Sequence, residues 1–241
     1  MMLPTLRLCE DVLSNESEMS LPAHPRMIFV VHGAIAIPDR ILRDGETFSG
    51  ETAVTVKADK NGATLWRWEF LAGLADLADG DSHGTDDAAP APNTRGVVSR
   101  QKLAAPLQTS PQGALLLRGD SVAFPPGGCA YLHRHQGPGI RCLIEGGICI
   151  DTHGRSASYG PGGAWYETGP DGVFAQAADR PTRFIRVMIL PRACLGKSSI
   201  EYLNEQDKAK TKSQSYKIFT DMPIGDQGSR ISNSSFPILD C

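Results

Sequence analysis

An all-β fold made of two tandem copies of one unit is what the sequence predicts, and three observations predict it. The 25 glycines and 17 prolines fall as short punctuation between apolar runs of strand length, the pattern of many short strands joined by turns. Two stretches share a layout. "RMIFVVHGAIAIPDRILRDGETF" (26–48) and "GIRCLIEGGICIDTHGRSASYGPGGAW" (139–165) each read as an apolar strand, a glycine turn at Gly33 or Gly146, a second apolar strand, a polar turn, and a Gly-containing loop before an aromatic. Further on, "ATLWRWEFL" (63–71) matches "TRFIRVMIL" (182–190), both β-rich with an arginine in the middle.

In chain order, residues 1–74 form the first copy. Within it Trp66 and Trp68 alternate with Arg67 and Glu69, which predicts a half-buried strand with aromatics on one face and charges on the other. Residues 75–111 are assigned to a mobile linker, because "ADLADGDSHGTDDAAPAPNTRG" is acidic, rich in Ala, Pro and Gly, and too poor in large apolar side chains to offset its ordering entropy. Residues 112–195 form the second copy. Residues 196–241 hold a short helix in "SSIEYLNEQDKAK", which opens on Ser residues suited to capping, then a strand in "SQSYKIFT" expected to return to the first copy, then a loose tail.

Composition narrows the function classes. A chain of 241 residues, 41% hydrophobic, can bury a core without staples, and a net charge of -3 offers no broad basic face for nucleic acid or an anionic membrane. No apolar run approaches the roughly 20 residues of a membrane span, and the N-terminus lacks a basic start followed by an apolar block. A cytoplasmic protein is the expectation. The six cysteines show no CxxC spacing and read as reduced thiols. Phosphate-cradling loops, GxSxG elbows and dinucleotide fingerprints are absent from the sequence.

The chemistry concentrates in "YLHRHQGPGIRCLIEGGICI" (131–150). In an extended strand, side chains alternate between faces, so His133 and His135 point the same way, a ready-made pair of metal ligands. Catalytic metals commonly take three protein ligands, and Glu167 in "AWYETG" is the candidate third, whereas Gln136 would face away from His135. Arg141 shares a face with Gly139 and His135 if no bulge intervenes and would then clamp an anion; a bulge at "GPG" would instead turn it to solvent. Trp165 and Tyr166 could line a cavity for an aromatic or apolar ligand, or be plain core. His153, in the turn "DTHGRS", is expected in solvent.

These residues resemble the first motif of the cupin superfamily. "PPGGCAYLHRHQGPGIRCLIEGGI" carries the glycines at 127 and 128, the HxH pair, and the "LIEG" turn at 143–146. "YGPGGAWYETGPDGVFA" (159–175) is similar to the second motif, and "LPAHPRMIFVVHGAIAI" (21–37) looks like a degenerate first-copy counterpart with a lone His24 in place of HxH. The resemblance implies a double cupin: two jelly-roll-like β-barrels with a short C-terminal helix, the usual glutamate replaced by Gly139, and the usual second-motif histidine missing near Phe174 or Ala175. It also implies a homodimer. Two functions follow. The first is a metal-dependent enzyme holding Fe, Mn, Ni or Zn through His133, His135 and Glu167, a dioxygenase or an isomerase/lyase acting on an anionic or aromatic small molecule. The alternative is a non-catalytic ligand-binding or sensing module that has lost part of its metal site.

Overall fold

The computed structural model describes residues 3–71, 95–107 and 113–225. Its described residues form two β modules with the same strand pairing. The first contains β1 (Thr5–Leu13), β2 (Glu18–Leu21), β3 (Arg26–Ile37), β4 (Arg40–Arg43), β5 (Thr47–Gly50), β6 (Val54–Leu71) and β7 (Val97–Pro106). They form one curled sheet, in the order β4-β3-β6-β1-β7, with β2 also on β6 and β5 also on β3.

The second module contains β8 (Leu115–Phe124), β9 (Cys129–His135), β10 (Gly139–Glu145), β11 (Ile148–Thr152), β12 (Arg155–Tyr159), β13 (Ala164–Glu167), β14 (Val173–Ala177), β15 (Thr182–Pro191), β16 (Ile200–Tyr202) and β17 (Ser215–Ile224). A short helix, α1 (Glu205–Ala209), follows β16. Two five-stranded sheets, β13-β10-β15-β8-β17 and β12-β11-β14-β9-β16, enclose the barrel.

The correspondence runs strand by strand. The pairs β1 with β6 and β7 match β8 with β15 and β17, and β3 with β4, β5 and β6 matches what β10 and β11 divide between them. The chain is therefore all-β, two modules of one design, the architecture that the resemblance to a double cupin implies. Apart from β16, which pairs with β9 and has no counterpart in the first module, one difference separates the copies. Between β10 and β11 the chain turns at Gly146 (φ +86) and changes sheet, whereas β3 continues through Gly33 (φ +89) as one strand. Gly33 lies opposite Ala63, and a Cβ there would sit 2.3 Å from the Gly62 carbonyl oxygen. Only glycine permits this approach and this backbone angle. Gly33 is thus a bend inside a strand rather than a hairpin turn, and β6 bends beside it at Gly62 (φ +78).

Three further expectations change. Residues 97–106 of the assigned linker are strand β7, paired along all of β1; the alternation in "VVSRQKLAAP" supplies a sheet edge despite its polarity. Residues 75–94 lie outside the described residues, as does the tail from 226. The C-terminal return strand, β17, pairs with β8 of its own module rather than with the first copy. The predicted helix is shorter than its sequence window, because residues 200–202 extend along β9 as β16.

The modules pack face to face. Leu6, Leu8, Met27, Phe29, Trp66, Trp68 and Phe70 of the first sheet meet Leu117, Ile140, Cys142, Ile185, Val187 and Ile189 of the second in one apolar core. The Trp68 indole donates to the Ile140 carbonyl at 3.2 Å. The opposite face of the first sheet, expected to be the wetter one, is also buried. Arg67 makes a two-pronged pair with Asp11 (2.7 and 3.0 Å), and Glu69 is shared by Arg7, Arg26 and Arg67. Charges so enclosed are tolerated because each carboxylate meets a guanidinium.

Candidate functional site

The barrel of the second module is apolar at one end and polar across its middle. Strand alternation sends Phe124, Leu143, Val173, Ala175 and Phe184 into an apolar plug with Trp165. One step along the same strands it sends inward His133 and His135 from β9, Arg141 from β10, Asp120 from β8, Glu167 from β13 and Arg186 from β15, all buried.

His133 and His135 lie edge to face with ring centroids 5.0 Å apart. The Tyr131 carbonyl sits 2.7 Å from His133 Nδ1, so Nδ1 carries the proton and Nε2 presents a lone pair. His135 differs: its Nε2 accepts from Arg186 Nη1 at 3.1 Å, and its Nδ1 faces Ser199 Oγ at 3.5 Å. Burial, then for His135 the guanidinium charges of Arg186 and Arg141, push both imidazoles below the usual histidine range, His135 far below. Both are neutral at physiological pH.

Arg186 is held by Asp120 through two bonds (2.9 and 2.6 Å). Arg141 lies inward, so no bulge turns it out, and the anion it clamps is the chain's own Glu167 (2.7 Å). Burial lowers the Arg141 guanidinium to about 10, with Glu167 opposing the shift. The other Glu167 oxygen accepts from the Trp165 indole at 2.9 Å.

Each predicted site residue can now be placed. Glu167 does face the histidines, from a strand that does not adjoin theirs: β13 pairs with β10 in the other sheet, while β9 is flanked by β14 and β16. Glu167 lies directly across from Gly139, so the carboxylate missing from β10 is supplied by its neighbour. It stands 4.0 Å from His135 Nε2 and is neutralised by Arg141. Trp165 is packing, stacked on Tyr159 and edge-on to Phe184. Tyr166 points out of the barrel toward the intermodule core, because adjacent strand residues cannot share a face. In place of the second-motif histidine, β14 presents Val173 and Ala175. In the first module the register puts Leu21 opposite Val54, as His133 is opposite Val173; the counterpart of His133 is therefore a leucine, not His24. His153 is exposed and pairs with Asp171 at 3.2 Å.

Sequence reasoning missed Arg186 and Asp120. The signal was there in the repeat, which aligns Arg186 with Arg67, itself held by an aspartate on the adjoining strand.

A divalent metal does not fit this donor set. Of the expected ligands only His133 offers a free lone pair, since Arg186 occupies the His135 nitrogen and Arg141 takes up the Glu167 charge. Two guanidinium groups also point to where a cation would sit, and Coulomb repulsion opposes a third positive centre. Among the described residues no group of three His, Cys, Asp or Glu side chains is arranged to hold a metal.

Beside the polar layer a cavity of about 250 Å³ opens between β8, β15, β17 and the segment before β16, lined by Arg118, Asp120, Arg186, residues 196–200, Tyr216 and Ile218. A shallower depression over His135 contains Arg134 and Glu201, which pair with each other at 2.9 Å.

No family model and no curated protein matches the sequence. Solved structures match the fold. A variant of oxalate decarboxylase from Bacillus subtilis superposes with a TM-score of 0.57 at 12% identity, over 85% of this chain and 73% of that one. The oxalate decarboxylase of Lactobacillus farciminis, in a formate complex, gives 0.55 at 14% identity over 83% and 80%. AerE from Microcystis aeruginosa gives 0.53 at 12% over 77% and 88%. At such identities the likeness is one of fold.

Proposed function

We propose, with the bicupin fold as the premise, that the chain is a metal-independent small-molecule-binding protein whose second barrel is the binding module. The observation that carries this reading is the bond from Arg186 to His135 Nε2, together with the Arg141–Glu167 pair. The polar layer balances its own charges, two guanidiniums against two carboxylates beside two neutral imidazoles, although Arg141 Nη2 meets Glu167 only as an ion pair and makes no hydrogen bond. A layer so connected is rigid, and a rigid polar floor beside an open cavity orients a bound ligand. The metalloenzyme reading needs both His135 and Glu167 free, and neither is.

The test is metal content by mass spectrometry on untagged protein, as purified and after incubation with Fe(II), Mn(II), Ni(II) or Zn(II) followed by desalting. Substoichiometric metal in every sample, the same in the His133→Ala, His135→Ala double variant, is the expected result. Near-stoichiometric metal that disappears in the double variant would overturn the reading.

A further inference from the structure

We propose that the cavity beside Arg186 binds a small monoanionic acid with an apolar body, its charged end between Arg186 and Lys197 and its body against Tyr216, Ile200 and Ile218. This rests on the metal-independent reading above and names the ligand class of that module.

The charges decide the sign. Arg118 is spent on Asp221 through two bonds of 2.6 Å, and Arg186 on Asp120. Lys197 lines the same cavity, is exposed, and pairs with no carboxylate among the described residues. The wall therefore carries one uncompensated positive charge. Arg186 has five N–H groups, three of them used on Asp120 and His135, which leaves two donors on a side chain that lines the same cavity. Ser198 and Ser199 add hydroxyls on the same wall.

The apolar part decides the body. Tyr216 and Ile218 lie on one face of the edge strand β17 and remain 46% and 52% exposed. Both line the cavity, with Ile200 across from them. Large apolar side chains clustered at the mouth of a charged cavity suit a ligand that is half apolar. At about 250 Å³ the space lies below the ~300–1,000 Å³ of sites for drug-sized ligands, which sets the size at a single ring or a short branched chain. A doubly charged anion would leave one charge without a partner in this wall.

The experiment is isothermal titration of metal-free full-length protein with benzoate, benzamide and inorganic phosphate, for wild type, Lys197→Ala and Ile218→Glu. Both substituted side chains are exposed, and Lys197 holds Arg118 only through its main-chain carbonyl, so both variants keep the fold; thermal melts check this. Benzoate is expected to bind one per chain, with benzamide and phosphate each at least tenfold weaker. Lys197→Ala should weaken benzoate by about tenfold, the scale of one charge-assisted hydrogen bond, and Ile218→Glu should abolish it. Absence of benzoate binding at millimolar concentration, equal binding of benzoate and benzamide, or wild-type binding in both variants would each overturn the proposal. Metal stoichiometry is read separately, so a bound metal would refute the function proposed above while the titration still decides the cavity.

Discussion

Replacing Glu167 with glutamine tests whether the barrel's interior is held by its own charges. The substituted side chain keeps an oxygen for the Trp165 indole, now bonded at 2.9 Å, but sets an amide against the Arg141 guanidinium where a carboxylate oxygen stands at 2.7 Å. Arg141 is 1% exposed, so its charge cannot turn to water. Removing one partner of a buried pair costs about 3–5 kcal/mol. With a urea m-value near the top of the usual ~1–3 kcal/mol/M range for a chain of this size, the unfolding midpoint should fall by about 1–1.7 M. Adding Arg141→Met removes the stranded charge, and the double variant should recover to within about 1–2 kcal/mol of wild type. Equilibrium urea unfolding followed by tryptophan fluorescence reads both numbers. A midpoint shift below about 0.3 M for Glu167→Gln, or a double variant worse than the sum of the singles, would show that Glu167 does not neutralise Arg141 in the folded barrel.

Other outcomes follow from the same packing. Gly139→Glu restores a carboxylate at the position where the resemblance leads one to look for it, yet its Cβ would meet the Val187 carbonyl oxygen at 2.5 Å and Met188 Cγ at 2.7 Å; a melt should show a loss of at least ~1–3 kcal/mol, with no metal gained. Trp68→Ala removes an indole shared between the modules and should cost about 3–5 kcal/mol, read by chemical denaturation. In the first module burial would raise the Glu69 carboxyl, but Arg67, Arg7 and Arg26 outweigh it and hold it at about 2. Its stabilisation is complete above the ordinary value of 4.5 and lost as pH falls toward 2, about 3 kcal/mol in all; Glu69→Gln should flatten that part of the acid-unfolding curve. The buried imidazoles act from higher pH: because His133 and His135 resist protonation when folded, stability should decline as pH drops below 6.5, and His135→Gln should reduce the slope.

Most of the fold was legible because strand periodicity and turn residues are local. The tandem layout, the inward pairing of His133 with His135 and the exposed His153 follow from alternation and from turn residues, whereas the inward Arg141 does not, since the sequence leaves a bulge at "GPG" open. What escaped depends on which strands meet. The placement of β13 beside β10, the capture of Glu167 by Arg141, and the hold of Asp120 on Arg186 are contacts between residues far apart in sequence. Alternation told which face a side chain takes, not what waits there. The same gap hid the buried charge cluster of the first sheet, where the face carrying Arg67 and Glu69 reads as solvent-facing until the sheet's curl encloses it.

The state of the two imidazoles tests the central claim most directly. Long-range proton–nitrogen spectra of labelled protein, recorded with increasing Co(II), report on each ring nitrogen separately. Both histidines should be neutral with the proton on Nδ1, as the Tyr131 carbonyl and the Arg186 donor require, and their signals unaltered by one equivalent of metal. Loss or large paramagnetic shift of both Nε2 signals at one equivalent would show that the guanidiniums give way to a cation, and would contradict it.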